Sequence, residues 1–265
     1  MLAARGAARI PTAIGYTGRV EKLAVLLALT GCDMAFGLHA PPIDAAPDAP
    51  DAPIDAAPDA ACTQKVTRPV IADGQIYATD PTLPGNDVTA MNLQYTAGLH
   101  TVGLFKFDVT AQGLPDAIEL ELANAIHDPA CGTSCASTCA HLEAPGDLQV
   151  FVMTSNWDEG SGLNRGATWN CRRGDTSGCV VADQWYAPGA TDPRDRGAQV
   201  ATFTSSPGMS ASIPIDLAAW AGVESNKLSF QVVAGFNGAK MLVRAKESTC
   251  DVGTPAAQLV LTYCP

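Results

Sequence analysis

Short runs in which apolar and polar residues alternate strictly, each closed by Gly, Pro, Asn or Asp, constrain this chain more than any other feature. Phe105, Phe107 and Val109 alternate with Lys106 and Asp108, and Ile118, Leu120 and Leu122 alternate with Glu119 and Glu121. The rhythm returns at Leu148-Val150-Val152, Ile213-Ile215-Leu217, Leu228-Phe230-Val232 and Leu259-Leu261-Tyr263. A period of two places every second side chain on one face, as in a strand that buries one side. The flanking turn residues set runs of strand length. One helical candidate interrupts the pattern: DLAAWAG, with Asp216 as N-cap and a short helix near 217–221. About nine or ten such strands with almost no helix predict an all-β, antiparallel two-sheet β-sandwich. The 24 glycines and 19 prolines suit a turn-rich chain.

The N-terminal segment follows different rules. Leu23–Leu29 (LAVLLAL) is an apolar run preceded by Arg19 and Lys22. It is too short to cross about 30 Å of hydrocarbon as a helix and reads as a signal peptide. Leu29-Thr30-Gly31-Cys32 resembles a bacterial lipobox, in which the cysteine is lipidated and becomes the new N-terminus. Residues 1–31 are then signal peptide, with the start codon at Met1 or near Val20. Residues 41–60 read PPIDAAPDAPDAPIDAAPDA, with no basic or aromatic residue. Such a stretch cannot bury enough apolar surface to offset its ordering entropy, and like charges with prolines keep it extended. Residues 32–61 are therefore an acidic tether and 62–265 the folded body. The expected location is exported, lipid-anchored to the bacterial envelope at the outer membrane or cell surface, with the lipid as the only membrane contact. A net charge of −11 excludes nucleic acid as a partner, and the body is expected to be a monomer.

Nine cysteines leave eight once Cys32 carries lipid, enough for four disulfides in an oxidising compartment. Cys171 and Cys179 bracket a small loop. Cys62 and Cys264 lie at the two ends of the body and are positioned to clamp it. Cys250 then takes one of Cys131, Cys135 and Cys139, and the other two pair together. The spacing C-x3-C-x3-C-x-H, ending at His141, lacks the C-x2-C knuckle of structural zinc.

Several blocks occur in an order that resembles the DNRLRE-type domain. They are Ala72-Asp73, Phe105-Lys106-Phe107-Asp108-Val109, Trp157-Asp158-Glu159-Gly160 with Ala167-Thr168-Trp169, and Ile215-Asp216-Leu217 with Trp220. Glu247 and Leu259–Tyr263 complete the set, which spans most of 66–264. The resemblance implies a jelly-roll module related to the carbohydrate-binding modules of alginate-degrading enzymes, and hence a polysaccharide partner, acidic ones included. Regions 127–147 and 171–198 depart from the pattern as cysteine-bearing insertions. Arg244–Glu247 (RAKE) departs as well.

The segment TSNWDEGSGLNRGATWNC at 154–171 concentrates the candidate chemistry. Asp158 and Glu159 are neighbours, and neighbours on an extended chain point apart. They cannot face each other across a glycosidic bond as an acid–base pair must. Glu159 is expected to fix the glycine-rich loop after it by accepting its N–H groups, with Trp157 and Trp169 as structural residues of that loop and Trp220 in the core. Trp185 and Tyr186, in a polar proline-bearing loop, are the candidate ligand-stacking residues, with Arg194 and Arg196 beside them to pair with an acidic sugar. Asp73 and Asp108, with Asn86 and Asp87, are hard oxygen donors for a possible structural calcium. There is no G-x-S-x-G elbow, and the four histidines have no catalytic spacing. The expected role is non-catalytic polysaccharide binding, with a structural or adhesive envelope protein as the alternative and a polysaccharide-degrading enzyme as the third reading. If Cys32 carries the anchor, Cys32→Ser should move the protein from the membrane to the soluble fraction; unchanged partition would contradict the assignment.

Overall fold

The computed structural model describes residues 62, 64–85, 90–96, 99–110, 113–125, 143–161, 164–235, 238–248 and 255–264. Cys32, the acidic segment, Asn86, Asp87, Cys131, Cys135, Cys139, His141 and Cys250 lie outside the described residues. The described chain is mostly antiparallel β with almost no helix. Its strands are β1 (Gln64–Tyr77), β2 (Ala90–Thr96), β3 (Leu99–Asp108), β4 (Ala117–Leu122), β5 (Gly146–Met153), β6 (Arg165–Gly166) and β7 (Gly174–Asp175). After these come β8 (Arg196–Ser205), β9 (Ala211–Ile215), β10 (Lys227–Ala234), β11 (Lys240–Arg244) and β12 (Ala257–Tyr263). Ten of them form one hydrogen-bonded sheet: eight lie on the path β8-β5-β10-β3-β1-β12-β4-β9, and two lie off it, β2 joined to β3 and β11 to β2. The helical candidate at 217–221 is a 3-10 helix, Leu217–Gly222, and the Asp216 carboxylate accepts the Ala218 N–H at 2.8 Å as its cap.

The long strand β1 organises the path because it serves two partners. Gln64–Pro69 pairs with β12, and Val70–Tyr77 pairs with β3, with a register slip between Val70 and Ala72. The two ends of the path approach each other where the Asp216 N–H meets the Val200 carbonyl at 2.9 Å, so the sheet nearly closes on itself. A disulfide between Cys62 and Cys264 ties the start of the body to its end, and a second joins Cys171 to Cys179.

The alternating residues converge on one core: Phe105, Phe107, Leu120, Leu148, Val150, Ile213, Leu228, Phe230, Val232, Leu259 and Leu261 are all buried in it. The opposite face of β1, β3, β5 and β10 is covered too. There Ala72, Ile76, Val102, Leu104, Met153 and Val233 pack beneath Trp157, Ala167, Trp185 and Ala190, which belong to the chain between β5 and β8. Strands β3 and β10 are consequently buried on both sides, although their sequences read as one-sided. The polar half of their alternation, Lys106, Ser229 and Gln231, is buried with them.

Candidate functional site

Residues 154–161 and 164–196 form a layer over that second face and contain most of the candidate residues. The layer is folded on itself by main-chain bonds: Asp158 N–H to Arg172 O, Ala167 N–H to Asp158 O, Arg172 N–H to Asp183 O and Trp185 N–H to Asn170 O, at 2.8–3.1 Å. Trp157 is fully buried and covers Lys106, whose ammonium lies 4.6 Å from the ring centroid. That ammonium donates to Asn156 Oδ1 at 3.0 Å and to the Trp157 carbonyl. Burial pushes the Lys106 pKa down to about 8, against the opposing pull of Asp158.

Glu159 anchors the layer, and among the described residues its partners lie outside the glycine loop that the sequence led us to expect. It accepts the Asp73 N–H (3.4 Å) and the Lys246 ammonium (2.5 Å), reaching β1 and the turn after β11. The chain after Gly160 turns away at a φ of +82°, and a side chain there would collide with the Arg165 carbonyl. Asp73, 1% exposed, accepts the Lys246 N–H at 2.7 Å, and Glu247 completes the group. Asp73, Glu159 and Glu247 hold carboxylate oxygens within 4.8 Å of one another. Burial, then the nearby charge of Glu247, raises the Asp73 pKa well above its ordinary value; burial likewise raises Glu159.

The calcium set Asp73 and Asp108 does not come together. Asp108 is exposed at the end of β3, where it accepts the Thr110 N–H at 2.9 Å, while Asp73 faces Phe105 in the β1–β3 register. Around Asp73 it is instead Glu159 and Glu247 that bring carboxylate oxygens within 4.8 Å, and the ammonium of Lys246 already lies against both of these, at 2.5 and 3.1 Å. A cation at this cluster would have to displace that ammonium.

Trp185 is not a ligand-stacking residue: it is 5% exposed, packs in the second core, and donates its indole N–H to Thr168 O at 2.8 Å. An aromatic pair in a polar loop reads as exposed, but the loop closes over the sheet and needs one ring as its root. Arg196 is likewise occupied, stacked 4.0 Å over Phe151 and bonded to Gln231 Oε1 at 3.1 Å. Tyr186 and Arg194 are together on the surface. Tyr186 is 59% exposed, and the Arg194 guanidinium lies 3.9 Å from its ring centroid while Asp192 takes its Nε and Nη2 at 2.8 and 3.0 Å. Trp169 is half-buried against His100 (centroids 5.1 Å apart) and over Gly189, where φ is +71° and a Cβ would meet the ring at 2.7 Å.

Asp195, which no pattern in the sequence separates from Asp192, is the buried post of this region. Its carboxylate accepts the N–H groups of Tyr186 (2.6 Å) and Ala187 (3.3 Å) and the Ser155 hydroxyl (2.9 Å). Gln231 supports it from β10 by donating to Gly189 O at 2.8 Å. A scan against models of known protein families finds no match, and no curated protein matches the sequence.

Two outcomes are expected. Trp185→Ala should destabilise the fold by about 3–5 kcal/mol in equilibrium denaturation, as truncating a buried aromatic does; a change near zero would return the ring to the surface. Asp73 and Glu159 hold protons more tightly folded than unfolded, so their contribution to stability is full below the ordinary carboxylate pKa and is lost as pH rises through the raised values. Melting temperature should therefore fall as pH climbs above about 4, and Asp73→Asn should flatten that slope; an unchanged slope would contradict the raised proton affinity of Asp73.

Proposed function

We propose that the protein is a lipid-anchored envelope protein whose disulfide-stapled β-body, a two-sheet jelly roll of the DNRLRE type, binds polysaccharide without catalysis. The observation that carries this reading is Tyr186: a large exposed ring whose backbone N–H is fixed by buried Asp195 and whose neighbour Trp185 is rooted in the core. A ring held in place loses little freedom when a sugar face stacks on it. Arg194 covers one side of the ring, so stacking uses the other side or the edge. The signal-like segment, the lipobox-like Cys32 and the acidic tether supply the anchoring and the reach. The structural or adhesive alternative draws on one specific observation, the burial of Trp157 and Trp185, which leaves no flat strip of tryptophans among the described residues.

Affinity electrophoresis of the purified chain, disulfides intact, against neutral and acidic polysaccharides separates the two. Retardation by one glycan class that Tyr186→Ala weakens about tenfold, or ~1.4 kcal/mol, supports binding at this ring. Folded protein that migrates unretarded throughout the panel would overturn it in favour of the structural role.

A further inference from the structure

The layer also contains a cleft away from any aromatic ring. Its volume is about 440 Å³, and its walls are Asp158, Gly160, Ser161, Arg165, Gly166, Arg173 and Gly174. These come from three chain segments, 158–161, 165–166 and 173–174, and main-chain bonds fix their spacing. The Asp158 N–H reaches Arg172 O at 3.0 Å, the Ala167 N–H reaches Asp158 O at 2.8 Å, and β6 pairs with β7 through Arg165 with Asp175 and Gly166 with Gly174. The cleft is thus formed before any ligand arrives, as small-molecule sites usually are.

Its chemistry is that of two opposite charges within reach of one molecule. Arg173 Nε and Asp158 Oδ2 are 3.0 Å apart, and both side chains are about half exposed, at 45% and 57%. Arg165 is exposed and also lines the cleft; it pairs across β6 and β7 with Asp175, whose carboxyl is held below its ordinary value by the Ser177 hydrogen bonds and, more weakly, by Arg165. Ser161 and the glycine backbones add hydrogen-bonding groups, and among the described residues no aliphatic or aromatic side chain lines the cleft. A neutral sugar ring finds no described side chain to stack on, whereas the charged groups are present. A polyanion would be held by the arginines but opposed by Asp158 and by a body whose chain carries a net charge of −11. A small molecule with one carboxylate and one ammonium meets neither penalty: its carboxylate matches the guanidinium fork and its ammonium the aspartate.

We propose that this cleft binds the zwitterionic head group of an amino acid, the carboxylate on Arg165 and Arg173 and the ammonium on Asp158. The ligand is then a free amino acid, because a residue joined to a chain through its α-amine or α-carboxyl keeps only one of the two charges. This goes beyond the Tyr186 reading and stands independently of it.

The test is a backbone amide NMR titration of the full chain with alanine, N-acetylalanine, alanine amide, sodium glucuronate and sodium phosphate. Alanine should give saturable shifts at Gly160, Gly166 and Gly174, and each single-charge analogue should bind at least about tenfold more weakly, as loss of one charge-assisted contact implies. Arg165→Ala and Asp158→Asn should each abolish the shifts with the melting temperature unchanged, since both side chains face solvent. No saturable shift with alanine would overturn the proposal. So would equal binding of N-acetylalanine, or tighter binding of glucuronate or phosphate, each of which makes this a simple anion cleft. Tyr186→Ala leaves the cleft intact, so failure here and failure of glycan binding at the ring are separable.

Discussion

The second face of the sheet is polar in sequence and buried in fact, and the rest of the structure depends on how that conflict is met. Lys106, Ser229 and Gln231 point out of strands whose other side is the hydrophobic core, and a layer of chain shuts them away from water. A buried polar group without a partner costs on the order of 1–3 kcal/mol, and an unpaired charge more. The layer therefore has to supply partners at fixed places. Lys106 takes Asn156 and the Trp157 carbonyl, Gln231 takes Gly189 and Arg196, and the Asp73 N–H takes Glu159, while the turn after β11 supplies the Lys246 N–H to the Asp73 carboxylate. These contacts set where each turn of the layer lies, and so where Tyr186 and the Arg165 cleft are presented.

Two rings show how the layer is fastened between those polar posts. Trp157 and Trp185 descend from it onto the sheet, and the glycines at 160 and 189 let the chain pass the crowded points beside them. The Cys171–Cys179 bridge closes the outermost hairpin, and Asp195 returns the chain to β8. Function, on this account, belongs to what the layer leaves exposed rather than to its tryptophans.

How far the sequence foretold this depends on the face. Alternation in β3, β4, β5, β9, β10 and β12 marked the strands of the main core because each buries a regular apolar half. Strand β8 went unnoticed: its sequence, RGAQVATFTS, is small and polar, it ends the path, and only Val200 and Ser205 are buried in it. The long β1 was obscured by the register slip at Ile71, which breaks the period. The loop was read as a solvent-facing insertion because its composition is polar. That polarity serves buried partners, which no local pattern reveals, and it misplaced Trp185 and Arg196. Asp195 and Lys246 were invisible for the same reason, since their partners lie up to 175 residues away.

The central claim is that buried polar contacts hold the layer as rigidly as the sheet beneath it, and amide hydrogen exchange tests it most directly. The N–H groups of Tyr186 and Ala187, bound to Asp195, should exchange within about tenfold of the interior amides of β10. Exchange at the rate of an open loop would mean that the layer detaches from the sheet, and that neither the ring nor the cleft is held ready for a ligand.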